Sequence, residues 1–182
     1  MKQAPISLMP PLKMEQIRAL RAGERVLLNG VVYAARDAAH KRMLESLAAG
    51  QALPFPIEGA VIYYVGPTPG APGQILGAAG PTTSSRMDSY TPRLLAAGLR
   101  GMIGKGDRSA PVVAAMREHG AVYLAATGGA GALLGRCIVG SEVVAYPELG
   151  PEALRRLELR DFPALVAIDA AGRSLYQRAV RR

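Results

Sequence analysis

Three cationic side chains occupy positions that suit a binding site for a small anion. Arg36 follows a predicted strand, Arg86 follows a loop rich in Pro, Thr and Ser, and Lys105 lies between two glycines. Each of the three stands between a predicted strand and a predicted helix. Such loops gather at one edge of a parallel sheet, and the helix N-termini there present unpaired N–H groups that favour negative charge. The spacing therefore predicts a pocket for a ligand that carries more than one anionic group.

Each of these side chains also has a plainer interpretation. An Arg at a helix start is commonly solvated, and the segment Gly104–Gly106 is also compatible with a simple tight turn. His40 lies four residues after Arg36 on the same predicted helix face, where it either reaches the pocket or packs in the core. The residue types by themselves do not choose between the two interpretations.

The spacing of the glycines excludes the common nucleotide-binding motifs. A phosphate-binding loop before Gly104-Lys105 would need Gly at the position of Leu99, and Ser or Thr at the position of Gly106. The fingerprint of a dinucleotide site fails as well, because its third glycine would fall at Leu134. The sequence also offers no convincing Ser/His/Asp or Cys/His set for nucleophilic catalysis.

The composition narrows the class of protein. The length of 182 residues fits one domain, and 49% hydrophobic with 20% charged residues is typical of a folded globular chain. The net charge of +8 attracts anions of any kind. The single Cys137 excludes an internal disulfide and a Cys-rich metal site within this chain. Neither a membrane span nor a secretory signal is visible, so we expect a cytoplasmic location.

The apolar pattern predicts alternating strands and helices, which is typical of an α/β domain. We expect a single domain with an extended arm over about residues 1–12 and a basic tail over about residues 177–182. The predicted helices cover 13–22, 36–49, 89–97, 109–119, 128–137 and 151–157. The predicted strands cover 25–33, with a candidate hairpin turn at Asn29-Gly30, then 59–65, 74–80, 101–103, 121–125, 142–146 and 164–169.

Seven longer motifs give the sequence a family resemblance. They are ARDAAHKR (35–42), VIYYVGPTP (61–69), GPTTSSRMDSYTP (80–92), GMIGKGDRS (101–109), GAVYLAATGGAGALL (120–134), VVAYPELGPEA (143–153) and DFPALVAID (161–169). With these motifs in this order, residues 6–176 resemble the β subunit of class I fumarate hydratases, which is equivalent to their C-terminal domain. It resembles the β subunit of the related L-tartrate dehydratases in the same way.

The resemblance implies an α/β fold of the swivelling β/β/α type, with mixed sheets and flanking helices. It implies a hydro-lyase that adds water reversibly to fumarate and yields L-malate. In this family three cysteines of a partner α subunit hold a 4Fe-4S cluster, and Cys137 alone cannot supply such a site. The resemblance therefore implies an α2β2 heterotetramer with a small dicarboxylate substrate, and neither nucleic acid nor a membrane as partner.

The resemblance also assigns roles to individual residues. Arg36, Arg86 and Lys105 match the substrate-binding positions of the family. Thr82 matches the residue proposed to act as the base at the substrate carbon that loses its proton. A neutral hydroxyl is a poor base, so this role requires an activated Thr82.

Four neighbouring residues bear on how these groups are held. His40, Asp37 and Thr83 are expected to lie behind the binding groups and orient them. Ser85 departs from the family, which usually has Gly at this position. If the backbone there requires a positive φ, Ser85 would cost about 1 kcal/mol or more and displace the following Arg86.

Two other functions fit the same sequence. One is the β subunit of an L(+)-tartrate dehydratase, which removes water from tartrate and yields oxaloacetate. The other, of a different class, is a non-catalytic module that binds anions or nucleic acid. The charge of +8 permits the second function, whereas the lack of Trp and of any groove-reading motif disfavours it.

Overall fold

The computed structural model describes residues 4–127 and 129–179 of the chain. Its strands are β1 (Ile6–Leu8), β2 (Arg25–Ala34), β3 (Val61–Tyr63), β4 (Gly101–Gly104), β5 (Val122–Ala125), β6 (Ile138–Ala145) and β7 (Leu154–Ile168). Its α-helices are α1 (Met14–Ala19), α2 (Asp37–Ala48), α3 (Thr91–Ala96), α4 (Ala110–His119), α5 (Gly131–Arg136) and α6 (Leu175–Ala179). Two short 3₁₀ helices cover Ser84–Met87 and Pro147–Glu152. Within the described ranges, each helix is too short or too polar to cross a membrane.

The seven strands form one mixed sheet in the order β1-β2-β3-β4-β5-β7-β6. Strands β1 to β5 run parallel to one another, and β7 runs antiparallel to its neighbours. Because β7 also pairs with β2, the sheet closes on itself as a ring of β2, β3, β4, β5 and β7. Strands β1 and β6 extend this ring. The predicted α/β class with mixed strands and flanking helices is therefore confirmed.

Two apolar clusters pack against the opposite faces of the closed sheet. One fills the inside of the ring, where alternate strand residues such as Val61, Tyr63 and Phe162 are buried. The other lies outside, where Ile62 and Met102 pack under the helices. Strands buried on both faces have continuous apolar sequences, which explains the unbroken run in β3 and its flanks.

The candidate hairpin at Asn29-Gly30 is wrong. Strand β2 continues from Arg25 to Ala34, and Gly30 has a φ of +90° at a register shift against β7. Asn29 accepts a hydrogen bond at its side-chain oxygen from the N–H of Asp161 on β7, at 2.9 Å. The two residues form a bulge rather than a turn because the long β7 pairs with β2 on both sides of them.

Two predicted elements, both within the described residues, are absent from the structure. The segment predicted as a helix over 151–157 contains the end of the second 3₁₀ helix and the start of β7. Leu154 and Leu157 are buried there because β7 pairs with both β2 and β6. The segment predicted as a strand over 74–80 is irregular: only Gly77 and Ala78 pair with Thr68. The prolines on either side of Thr68 lack the N–H groups that a longer ladder needs.

The predicted termini differ in detail. The arm contains β1, which pairs with β2, so part of it belongs to the sheet. Residues 177–179 of the predicted tail belong to α6, whereas Arg181 and Arg182 lie outside the described residues. Gly128, the predicted start of the helix over 128–137, lies outside them as well, and α5 begins at Gly131.

Candidate active site

Arg36 lies where β2 ends and α2 begins. It is the N-cap of α2, with an extended backbone that turns the chain from the sheet into the helix. Its side chain is 23% exposed, and Nη2 lies 3.4 Å from Oε1 of Glu152. A Cβ atom on Gly66 would lie 3.1 Å from both Cδ and Nη1 of Arg36. The absence of a side chain at Gly66 therefore leaves the space that the arginine occupies.

Asp37 connects Arg36 with Arg86. Its Oδ1 accepts a hydrogen bond from Nε of Arg86 at 2.9 Å, and its Oδ2 lies 3.8 Å from Nε of Arg36. Arg86 stands in the first 3₁₀ helix with its side chain 51% exposed. Among the described residues its two Nη groups have no hydrogen-bond partner. Two guanidinium groups, 50 positions apart in sequence, thus meet at one carboxylate.

Thr82, Thr83 and Lys105 are brought together by their backbones. The N–H of Thr82 donates to the carbonyl of Tyr64 at 2.7 Å, and the N–H of Lys105 donates to the carbonyl of Thr82 at 3.4 Å. The N–H of Ser84 then donates to the carbonyl of Lys105 at 2.9 Å, and Thr83 forms a parallel bridge with Lys105. The side chain of Lys105 is exposed. The threonine segment therefore continues the sheet beyond the end of β4.

The predicted residues converge because their strands are parallel neighbours. Arg36 follows β2 and Lys105 follows β4, while the segment of Thr82 and Arg86 is anchored beside β3 through Tyr64. The carboxyl ends of these strands meet at one edge of the sheet. Two carboxylates, Asp37 and Glu152, accompany the three cations there. These three cations and two carboxylates together carry one net positive charge, and arginine can bind a carboxylate in a bidentate manner.

His40 is a core residue. Its ring is fully buried, lies edge-on to Tyr64 at 5.3 Å between centroids, and has Nδ1 at 2.8 Å from the carbonyl oxygen of Arg36. Because a carbonyl only accepts, Nδ1 carries the proton and donates. Burial lowers the pKa of His40 to about 4. The neutral ring therefore packs in the core and donates to the backbone of Arg36. Its expected orienting role stays a prediction.

We expect His40 to make the stability of the chain depend on pH. Because its pKa is near 4 when folded and 6.5 when unfolded, only the unfolded state binds this proton between these values. The free energy of unfolding should then fall by roughly 2 kcal/mol between pH 7 and pH 5 on account of this residue. Urea denaturation of wild type and of His40→Gln at both pH values measures this change in the free energy of unfolding. Parallel losses in the two proteins would contradict the expectation.

Ser85 does not strain the site. It lies within the first 3₁₀ helix, is exposed, and is not among the residues with a positive φ. The condition for the predicted cost, a positive φ at this position, is therefore not met. A helical backbone accepts Ser as readily as Gly, so the position of Arg86 does not depend on a glycine before it.

Two further residues contribute to this end of the sheet. Glu152 accepts a hydrogen bond from the N–H of Ala38 at 3.2 Å, in addition to its ion pair with Arg36. The sequence gives no signal for this contact, because 114 positions separate Glu152 from Ala38. Arg108 is buried behind the loop of Lys105 and forms an ion pair with Asp88. It stands within the motif GMIGKGDRS, but its role does not follow from the motif.

This chain alone does not fit the ligands of an iron–sulfur cluster. Such clusters are held by several cysteine thiolates. The sequence contains one cysteine, Cys137, whose Sγ lies 3.7 Å from the carbonyl of Leu133. Residues 4–127 and 129–179 contain no group of three or more His, Cys, Asp and Glu side chains that could hold a metal ion.

Known proteins resemble this chain over nearly its whole length. The family model described as "Fumarase C-terminus" matches residues 1–179. The class I aerobic fumarate hydratase of Escherichia coli strain K12 is 39% identical over 176 residues, covering 94% of this chain and 32% of its own length. Fumarate hydratase 2 of Leishmania major is 38% identical over 168 residues, covering 91% of this chain and 30% of its own length.

A shorter relative matches along most of its own length too. The putative L(+)-tartrate dehydratase subunit beta of Methanocaldococcus jannaschii is 35% identical over 172 residues, covering 91% of this chain and 88% of its own length. The chain thus spans about a third of the fumarate hydratases that it matches, and nearly all of this subunit. The family match and these relatives show that the chain belongs to the fumarase C-terminus family.

Proposed function

We propose that this chain is the β subunit of a class I fumarate hydratase, an enzyme that hydrates fumarate reversibly to L-malate. We further propose that this chain binds the dicarboxylate substrate. The observation that carries the proposal is the shared contact of Arg36 and Arg86 with Asp37, beside the loop of Lys105. Arg86 donates to one oxygen of the Asp37 carboxylate, and Arg36 lies within ion-pair distance of the other. Two arginines that meet at one carboxylate support a site for carboxylates, which arginine binds well.

The arginines and the lysine have different tasks in this proposal. The free Nη groups of Arg86 and the guanidinium of Arg36 bind substrate carboxylates, and Lys105 contributes a point charge. When a proton leaves the carbon next to a carboxylate, negative charge spreads onto the carboxylate oxygens. Donors fixed in advance around these oxygens stabilise that charge more strongly than they stabilise the ground state.

Thr82 is the proposed base for this proton. Its backbone is held between Tyr64 and Lys105, which fixes the point from which its side chain starts. A nearby cation favours the ionised form of a hydroxyl, and the Lys105 ammonium is the candidate for this effect. Thr83 and Asp37 hold Lys105 and the arginines, respectively, through the contacts described above.

The cluster belongs to a second chain in this proposal. Class I fumarate hydratases are iron–sulfur enzymes, and this chain lacks the cysteines for a 4Fe-4S cluster. The relative named as a subunit beta, of nearly equal length, supports a division into separate α and β subunits. We further propose an α2β2 assembly in the cytoplasm, in which this domain corresponds to the swivelling domain of the family.

Reconstitution with the partner tests this function. We expect the chain by itself to be inactive, and the assembled enzyme to hydrate fumarate. The partner should be purified with its cluster intact and assayed alone, with this chain, and with this chain carrying Arg86→Ala. Fumarate hydration by the partner alone at the rate of the assembled enzyme would contradict the proposal.

Tartrate is the second candidate substrate, because the relative of matching length is named as a tartrate dehydratase subunit. We expect the assembled enzyme to turn over fumarate and L-malate with a higher kcat/KM than L-tartrate. Assays of the three compounds side by side with one enzyme preparation measure the ratio. A kcat/KM that is highest for L-tartrate would assign the chain to the tartrate dehydratases instead.

A further inference from the structure

Arg108 is a buried charge behind the candidate site. Its side chain is fully buried, and its guanidinium uses all three nitrogens. Nε donates to Oδ1 of Asp88 at 2.7 Å, Nη2 donates to Oγ1 of Thr91 at 2.8 Å, and Nη1 donates to the hydroxyl of Tyr64 at 3.3 Å. Burial of a charge is costly unless the charge is paired and hydrogen-bonded, and Arg108 meets both conditions. These contacts hold its guanidinium in one place, because moving it would leave a buried charge without partners.

The partners of Arg108 come from the segments that carry the binding groups. Asp88 directly follows the 3₁₀ helix of Arg86, and its other oxygen accepts a hydrogen bond from the N–H of Ser109 at 2.7 Å. Ser109 ends the loop that begins at Lys105. The Arg108–Asp88 pair therefore joins the loop of Arg86 to the loop of Lys105.

A second path connects the same two loops through Tyr123. The guanidinium of Arg108 lies over the rings of Tyr64 and Tyr123, 5.2 Å from each centroid. The hydroxyl of Tyr123 donates to the carbonyl of Gly106 at 2.8 Å and accepts from the hydroxyl of Ser84, also at 2.8 Å. Gly106 follows Lys105, and Ser84 precedes Arg86 by two positions.

We propose that Arg108 is a positioning residue that fixes the distance between Arg86 and Lys105, and thereby the separation of the two carboxylates that the enzyme accepts. This inference rests on the proposed function. The planar fork of arginine satisfies Asp88, Thr91 and Tyr64 at once, whereas a lysine ammonium is a point charge that cannot span these three acceptors. Arg108 itself is buried and touches no substrate.

A double-mutant cycle tests the proposal in the assembled enzyme. We expect Arg108→Lys to lower kcat/KM for fumarate by roughly 30-fold, mainly through a higher KM, because small displacements of binding groups are costly. In the Arg86→Ala background, the same change should lower kcat/KM by only about 3-fold, since coupled residues are not additive. The dissociation constant of succinate, an unreactive dicarboxylate, should rise in parallel with KM.

The controls separate positioning from folding. Arg100→Lys changes a partly buried arginine at the opposite end of β4, where it donates to the carbonyls of Leu95 and Leu99, and should leave KM unchanged. If Arg108→Lys does not fold, Thr91→Val removes one acceptor of the fork and serves in the same cycle. Additive effects, or a lower kcat at unchanged KM, would overturn the proposal. If Arg86→Ala alone has no effect, the proposed function fails instead.

Discussion

Replacing Arg86 by Ala should lower kcat/KM for fumarate by roughly 100-fold or more, because removal of one charge-stabilising donor typically has such an effect. Arg86 meets Arg36 at Asp37, and its Nη groups have no partner within the part of the chain that the structure describes. The change removes exposed atoms, so it should leave the thermal stability of the chain nearly unchanged. Steady-state kinetics of the assembled enzyme, with a melting curve of each variant, measure both quantities.

The matched control for this variant is Arg93→Ala. Arg93 is exposed on α3, seven positions after Arg86, so the variant removes the same charge from nearly the same region. A loss of activity that is equal in the two variants would indicate a general effect of charge on substrate attraction. Near-normal kcat/KM in Arg86→Ala would refute the assignment of Arg86.

Replacing Gly104 by Ala should destabilise the chain and distort the site. A Cβ atom at this position would overlap Oγ of Ser84 and would lie 3.0 Å from Cδ2 of Tyr64. Both neighbours are fully buried, and Ser84 is also hydrogen-bonded to Tyr123. Overpacking of this kind costs about 1–3 kcal/mol, and the shift of Ser84 would separate the threonine segment from Lys105. The free energy of unfolding of the chain, measured by chemical denaturation, and kcat/KM of the assembled enzyme should both decline.

Gly80→Ala is the control for this loss of stability. The nearest atom to an added Cβ there is Cα of Gly131 at 3.6 Å, which is an ordinary contact. The free energy of unfolding of Gly80→Ala should stay within about 0.5 kcal/mol of the wild-type value, as for most surface changes. Equal stability of Gly104→Ala and Gly80→Ala would show that the packing of Ser84 against β4 is not needed.

The periodicity of the sequence identifies most of the elements that hold the site. The spacing of apolar residues predicts helices α2 and α4. Gly120 caps the end of α4 with a φ of +66°, as is typical of a glycine that ends a helix. The closure of the sheet could not be predicted, because it depends on the pairing of β2 with β7. These strands are separated by more than 110 positions, and the apparent turn at Asn29-Gly30 conceals their continuous pairing.

The candidate site could be predicted in part for similar reasons. Arg36, Arg86 and Lys105 stand at strand ends, so a parallel sheet brings them to one edge. Their roles in binding stay predictions. The carboxylate contributed by Glu152 could not be predicted, since its contact with Arg36 joins residues that are 116 positions apart in sequence. His40 illustrates a different limit, because the face of a helix does not tell a buried ring from one that reaches a ligand.

The most direct measurement is the structure of the assembled enzyme with succinate bound. This chain should then supply Arg36, Arg86 and Lys105 to the two carboxylates of the ligand, while the cluster is bound entirely by cysteines of the partner subunit. A ligand that is held by the partner alone, with these three side chains directed elsewhere, would contradict the central claim that this chain binds the dicarboxylate.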